Sequence, residues 1–135
     1  WTLHEEIFSA EQCVWCVTRA WAPDVAYRDG CYYLYYYFRN DDGMPGGIGV
    51  AVSDRPQGPF TNVTEDGPLV DGHDPSVFID DDGQAYLYMG HVVYFLADDM
   101  VRIQQEAGRH KSRIVELRGH DPVGGWEAVW VFERE

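Results

Sequence analysis

The chain has 135 residues and a formal net charge of −13, with 23 acidic against 10 basic side chains. Such an excess of negative charge argues against nucleic acid as a partner, because the phosphates would be repelled. No transmembrane run or signal peptide is visible, so we expect no membrane partner, and both a cytoplasmic and a secreted location stay open.

The first predicted unit is a hairpin within residues 21–38. Asp29 and Gly30 are turn residues, because Gly supplies a positive φ and Asp tolerates one. The run that follows, Cys31-Tyr32-Tyr33-Leu34-Tyr35-Tyr36, is typical of a half-buried strand. A third strand is predicted at residues 48–53 and a short fourth strand near residues 60–63. Asn62-Val63-Thr64 matches a glycosylation sequon, a pattern short enough to arise by chance.

The second unit repeats the first after 52 residues, the offset between Pro23 and Pro75. Two strands at residues 77–79 and 86–88 flank Asp80-Asp81-Asp82-Gly83, which we interpret as a turn, because the ligand spacing of a helix–loop–helix calcium site is absent. A third strand is predicted at residues 91–96, a loop at 97–107 and a fourth strand at 113–117.

A period near fifty residues with a hairpin at its core is typical of β-propeller blades. We therefore predict an all-β fold of propeller blades, each with four antiparallel strands. The blades are predicted at residues 21–70 and 71–120, with the start of a third at 126–135. Because a blade buries its faces only against neighbouring blades, we expect residues 1–135 to be a partial propeller domain from a longer protein.

Two carboxylates fall at corresponding places in successive repeats. Asp74 stands where the first strand of the second unit begins, and Glu127, 53 residues later, heads the run Ala128-Val129-Trp130-Val131-Phe132. Since the first strands of neighbouring blades line the central axis, we expect both side chains to face one pocket, as acid–base work on a glycosidic bond requires. Alternatively, Asp74 bonds only its own backbone in a turn, and Glu127 is a solvated charge at a strand end.

Three further side chains are predicted to lie at this pocket. Asp24 corresponds to Ser76, one place from the carboxylate position, and is expected to form a hydrogen bond near the pocket. Trp21 at the pocket rim is a candidate for stacking on a sugar ring. His73, adjacent to Asp74, is a candidate for substrate binding, and its alternative is a packed imidazole.

These motifs resemble glycoside hydrolase family 43. The resemblance rests on Trp21-Ala22-Pro23-Asp24 with the Tyr-rich strand after it, on residues 48–60 (IGVAVSDRPQGPF), and on residues 74–83 (DPSVFIDDDG). Together these motifs cover residues 21–90 in order, and residues 126–134 add a weaker match. Each piece alone is common, whereas the joint pattern is specific.

The resemblance implies a five-bladed propeller that hydrolyses α-L-arabinofuranosyl or β-xylosyl linkages with inversion, on arabinan, arabinoxylan or xylan. It implies Glu127 as the general acid and Asp74 as the carboxylate that orients this acid and adjusts its pKa. None of Glu5, Glu6 and Glu11 stands in a matching motif, so we expect the general base to lie outside this chain and the chain alone to be inactive.

The resemblance also implies a structural calcium in the full-length enzyme, held through a His in a late blade, and we expect no cofactor within this chain. Two alternatives to a family 43 glycosidase remain at this point. One is a noncatalytic carbohydrate-binding propeller, and the other is a related family of five-bladed glycosidases.

Overall fold

The computed structural model describes residues 1–15, 18–39, 46–114 and 130–133. This part of the chain is built of antiparallel strands, preceded by a 3₁₀ turn at Ala10–Gln12. The strands are β1 (Thr18–Arg28), β2 (Cys31–Arg39), β3 (Gly47–Ser53), β4 (Thr61–Asn62), β5 (Val70–Asp71), β6 (Ser76–Ile79), β7 (Ala85–Met89), β8 (Val92–Phe95), β9 (Gln105–Glu106), β10 (Arg109–His110) and β11 (Ser112–Ile114). Within the described residues, no helix has the length and apolar character needed to cross a membrane.

The first sheet has five strands instead of the four predicted. Strands β1, β2 and β3 follow one another, and both β4 and β5 pair with β3, at opposite ends of it. The chain leaves the sheet edge after Val63, turns at residues 65–67 and returns at Leu69, whose N–H donates to Ile48 O (2.7 Å). Pro68 packs so closely on Gly47 that a Cβ there would lie 2.4 Å from the proline Cβ. The outer strand of this blade is therefore interrupted.

The second sheet has four strands in the order β6-β7-β8-β11. Its first hairpin closes as predicted through hydrogen bonds from Asp80 N to Gln84 O (3.0 Å) and from Gly83 N to Asp80 O (2.8 Å). The predicted loop at 97–107 is wrong in part, because β9 lies within it and pairs with β10 in a small hairpin. This segment is tied back to the sheet by a bridge between Leu96 and Ile103.

The two sheets pack face to face, as adjacent propeller blades do. From the first sheet, Tyr35, Ile48 and Val50 are fully buried in the shared core. From the second sheet and the segment after it, Leu87 and Met100 fill the same core. The phenol of Tyr35 donates a hydrogen bond across the interface to Met100 O (2.5 Å). The all-β prediction with repeated hairpins at residues 22–38 and 74–90 is confirmed.

The other face of the first sheet is covered by the N-terminal segment. The ring of Phe8 lies 4.7 Å from that of Tyr36, and Trp15 stacks on Tyr36 from 6.2 Å. The indole N–H of Trp15 donates to Thr64 O (2.6 Å). Beneath them, Asn62 is buried, with hydrogen bonds at both Oδ1 and Nδ2, so its side chain is not exposed in this fold.

Candidate functional site

Asp24 joins the two blades at their inner strands. Its Oδ2 accepts a hydrogen bond from the backbone N–H of Val77 in β6 (2.7 Å), and its Oδ1 accepts one from Val25 N (2.9 Å). Strand β1 has a register shift between Trp21 and Asp24, and Ala22 within it has φ +38°. Such irregularities re-aim side chains at functional sites, and here Asp24 reaches the neighbouring blade.

A second hydrogen bond of the same kind joins β6 to the segment 130–133. Ser76, the counterpart of Asp24, accepts from Val131 N at its hydroxyl oxygen (3.4 Å). Val77 and Val131 therefore occupy corresponding positions, because the N–H of each donates to a side chain of the preceding inner strand. They are 54 residues apart in the sequence. This offset is one residue longer than the 53 that pair Asp74 with Glu127. Glu127 lies outside the described residues, and its place at the pocket stays a prediction.

Asp74, two residues before β6, has an uncommon backbone conformation. Its φ is +52°, although the next residue is Pro75, which favours an extended backbone before it. Its side chain is only 16% exposed, and His73 Nδ1 lies 3.3 Å from Asp74 Oδ2. Strained non-glycine residues cluster at functional sites, where the surrounding structure holds them in place. The conformation and the imidazole together fix the direction of this carboxylate.

Two cavities meet at Asp74. The one that we call the inner cavity measures about 270 Å³ and is lined by Ala22, Pro23, Asp24, Asp74, Pro75, Ser76 and Trp130. The one that we call the rim cavity measures about 490 Å³ and is lined by Trp21, Tyr37, Arg39, His73 and Asp74. Four of the five predicted site residues thus lie together, at the junction between the first and second blades.

The rim cavity has an aromatic wall. The ring of Trp21 lies 5.8 Å from that of Tyr37, and Tyr37 lies 6.2 Å from His73. Trp21 is 46% exposed, so its indole face is available to a ligand. Sequence reasoning missed Tyr37 and Arg39 at this site. The pairing of Trp21 with Tyr37 across β1 and β2 follows from the hairpin register once the bulge is known.

The cavity chemistry suits a neutral, hydroxylated ligand better than a metal ion. Carboxylate, imidazole and guanidinium groups exchange hydrogen bonds with hydroxyl groups, and the aromatic rings offer apolar faces. Across the described ranges, no three His, Cys, Asp or Glu side chains cluster as a metal site would require. The calcium that the family resemblance implies is expected at a His in a late blade, outside this chain, and stays a prediction.

Known proteins with related sequences and structures are carbohydrate-active enzymes. Xylosidase/arabinosidase 43A of Humicola insolens is 47% identical over 91 residues, which is 66% of this chain and 27% of that protein. An α-L-arabinofuranosidase structure from Clostridium thermocellum matches with 38% identity and a TM-score of 0.66, over 85% of this chain and 41% of that one. A GH43_1 enzyme from Xanthomonas citri, complexed with xylose, matches with 28% identity and a TM-score of 0.73, over 93% of this chain and 48% of that one.

This chain spans between about a quarter and a half of the length of these relatives. Their structures support the all-β propeller architecture read from the two stacked sheets. The sequence profile of glycosyl hydrolases family 43 matches residues 1–118, which is most of the chain. The chain therefore belongs to glycosyl hydrolase family 43.

Proposed function

We propose that this chain is part of a glycoside hydrolase that acts on arabinofuranosyl or xylosyl linkages of plant polysaccharides by an inverting mechanism. The observation that carries the proposal is the position of Asp74, whose carboxylate is held by His73 and lines two adjoining cavities beside Trp21. Family membership and relatives named as xylosidases and arabinofuranosidases support the pentose linkage.

In this proposal Glu127 is the general acid and Asp74 its modulator. An acid must carry its proton when the leaving group departs, and a carboxylate nearby raises its pKa through like-charge repulsion. The water that attacks the sugar needs a base on the opposite face, with the two catalytic carboxyl groups about 6.5–9.5 Å apart. We place that base outside the 135 residues, because none of Glu5, Glu6 and Glu11, the acidic residues that precede the first blade, stands in a matching motif.

The remaining site residues bind the sugar or hold Asp74 in position. Trp21 offers its indole face to a sugar ring at the rim cavity. Asp24, predicted as substrate-binding, has each of its oxygens bonded to a backbone N–H, so we assign it the task of fixing β6 and with it Asp74. His73 holds the Asp74 carboxylate through Nδ1 and also lines the rim cavity, where its other ring nitrogen can accept a hydrogen bond from a sugar hydroxyl.

The acid assignment is tested by Glu127→Gln in the full-length protein, with two kinds of substrate. On native oligosaccharides we expect kcat/KM to fall about 10²–10⁴-fold, the usual contribution of a general acid. On nitrophenyl arabinofuranoside and xyloside the loss is expected to be much smaller, because that leaving group departs without a proton. Glu65→Gln, the same change at an exposed position, serves as the control. Equal losses on both substrate kinds would reject the assignment.

A noncatalytic carbohydrate-binding propeller is the second candidate, since the same cavities would bind sugars without hydrolysis. It is favoured if the full-length protein binds xylo- or arabino-oligosaccharides yet releases no sugar from them. A full-length protein that neither binds nor hydrolyses these sugars contradicts both candidates.

A further inference from the structure

A third cavity opens on the second blade, next to the site described above. We call it the outer cavity. It measures about 400 Å³ and is lined by Asp71, Gly72, His73, Met89, Gly90, His91, Val92 and Tyr94. These residues come from the segment before β6, from the β7–β8 turn and from β8. His73 lines both the outer and the rim cavity, just as Asp74 lines both the rim and the inner cavity. The three cavities therefore lie next to one another in the order outer, rim, inner, with His73 and then Asp74 as the shared wall.

One wall of the outer cavity is formed by close packing of backbone on a buried side chain. Gly72 has φ +145°, and a Cβ at this position would lie 2.9 Å from the sulfur of Met89. The backbone before His73 therefore rests directly on Met89, whose side chain is buried. The volume of the outer cavity is within the range of about 300–1,000 Å³ typical of small-molecule sites. A cavity bounded by packed backbone needs little rearrangement to receive a ligand.

The lining of the outer cavity suits an uncharged ring with hydroxyl groups. Met89 and Val92 provide apolar surface, and His73, His91 and Tyr94 provide groups that donate and accept hydrogen bonds. The lining contains no Lys or Arg, and Asp71 adds a negative charge that repels anionic ligands. Partial burial, and secondarily the charge of Asp71, raises the pKa of Tyr94, so its phenol remains a donor at neutral pH.

From this row of cavities, and on the basis of the proposed function, we propose that the outer cavity is an additional sugar subsite. It binds one ring of a neutral pentose oligosaccharide whose cleaved linkage lies at Asp74. His73 stands between the two positions and contacts both. The subsite makes the enzyme prefer longer chains over substrates with a single sugar.

The test uses the full-length protein with His91→Ala and Tyr94→Phe. His91 is exposed, so its removal leaves packing intact, and Tyr94→Phe removes only a hydroxyl group. We expect each variant to raise KM for xylotetraose or arabinotetraose about three- to tenfold, the effect of losing one or two hydrogen bonds. Constants for nitrophenyl arabinofuranoside and xyloside are expected to stay unchanged. His4→Ala, the same change at an exposed histidine outside the cavity, is the matched control.

The two tetrasaccharides identify which pentose chain the subsite takes. Unchanged KM values for both tetrasaccharides, or equal effects on tetrasaccharides and nitrophenyl substrates, would overturn the proposal. If the full-length protein hydrolyses nothing, the proposed function fails, and the subsite is then decided by calorimetric titration with the same tetrasaccharides. Binding that His91→Ala weakens supports the subsite independently of hydrolysis, and absence of binding refutes it.

Discussion

Asp74 combines chemistry and position in a way that separates it from the other carboxylates of this acidic chain. It is one of 23 acidic residues, yet it has a positive φ, a contact with His73 and a place in two cavities. Its site was predictable from the repeat, because it stands where the second inner strand begins. Its φ of +52° was not, since a residue before proline is expected to be extended.

Asp74→Asn tests whether the charge of Asp74, as well as its shape, matters to catalysis. In the proposed mechanism the charge of Asp74 repels that of Glu127 and keeps it protonated, so the pKa of Glu127 is expected to fall when this charge is removed. The general acid would then deprotonate earlier as pH rises, and the alkaline limb of the kcat/KM profile would move to lower pH. The profile is measured on oligosaccharides in the full-length protein, with Asp66→Asn as the exposed control. A uniform loss at every pH would show a role in positioning alone.

Asp24 shows where reasoning from sequence ends at the residue scale. Its position next to the site followed from the repeat, and a hydrogen bond was expected. Its partner, the N–H of Val77, lies 53 residues away in the chain and depends on how the two blades pack. Only a three-dimensional arrangement reveals that both of its oxygens are bonded to backbone.

At the scale of elements, the sequence predicted the hairpins and the approximate places of β3, β4, β8 and β11, but it missed two details at the sheet edges. The Asp-Gly turns and aromatic runs specify β1–β2 and β6–β7 locally. The small β9–β10 hairpin was missed because each of its strands has only two residues and shows no alternation of apolar and polar side chains. The interruption between β4 and β5 lies beside a close contact of Pro68 with Gly47, two residues that are distant in sequence, and sequence reasoning did not foresee it.

The short strand β4 is secured by the buried side chain of Asn62. Its Oδ1 accepts hydrogen bonds from the Tyr36 phenol (2.8 Å) and from Thr64 N (3.1 Å), while its Nδ2 donates to Gln12 O (3.1 Å). Truncation would leave several buried polar groups without partners, each costing about 1–3 kcal/mol. This network links β2, β4 and the N-terminal segment in one place.

We therefore expect Asn62→Ala to lower the free energy of unfolding by about 2–4 kcal/mol. Thr61→Ala, at the exposed neighbouring position, is expected to change it by less than about 0.5 kcal/mol. Urea unfolding followed by tryptophan fluorescence measures both. A near-neutral Asn62→Ala variant would show that the network contributes little.

At the scale of the whole molecule, the two blades are joined by a core that is rich in tyrosine. Tyr35 is fully buried between the sheets, and burial is the largest cause of a strong upward shift of its pKa. Burial likewise raises the pKa of Tyr33, Tyr36 and Tyr88. The abundance of tyrosine predicted strands, but which phenols are enclosed depends on tertiary packing, between the two sheets for Tyr35 and under the N-terminal segment for Tyr36.

This enclosure predicts that the protein loses stability in alkali. In the unfolded chain a tyrosine ionises near pH 10, whereas Tyr35 keeps its proton in the folded state to higher pH. Above about pH 10 the unfolded state therefore binds fewer protons than the folded state. The free energy of unfolding then falls as pH rises, by up to about 1.4 kcal/mol per pH unit for one such group. Below about pH 9 this contribution is fully present.

Tyr35→Phe isolates the part of this effect that belongs to the blade interface. At neutral pH the variant is expected to be about 1 kcal/mol less stable, because the hydrogen bond to Met100 O is lost. Between about pH 9 and 11 its free energy of unfolding should fall less steeply than that of the wild type, since one buried phenol no longer titrates. Tyr27→Phe, at a largely exposed position, should keep the wild-type slope. Urea unfolding at a series of pH values measures all three proteins, and parallel curves for Tyr35→Phe and the wild type would contradict the assignment.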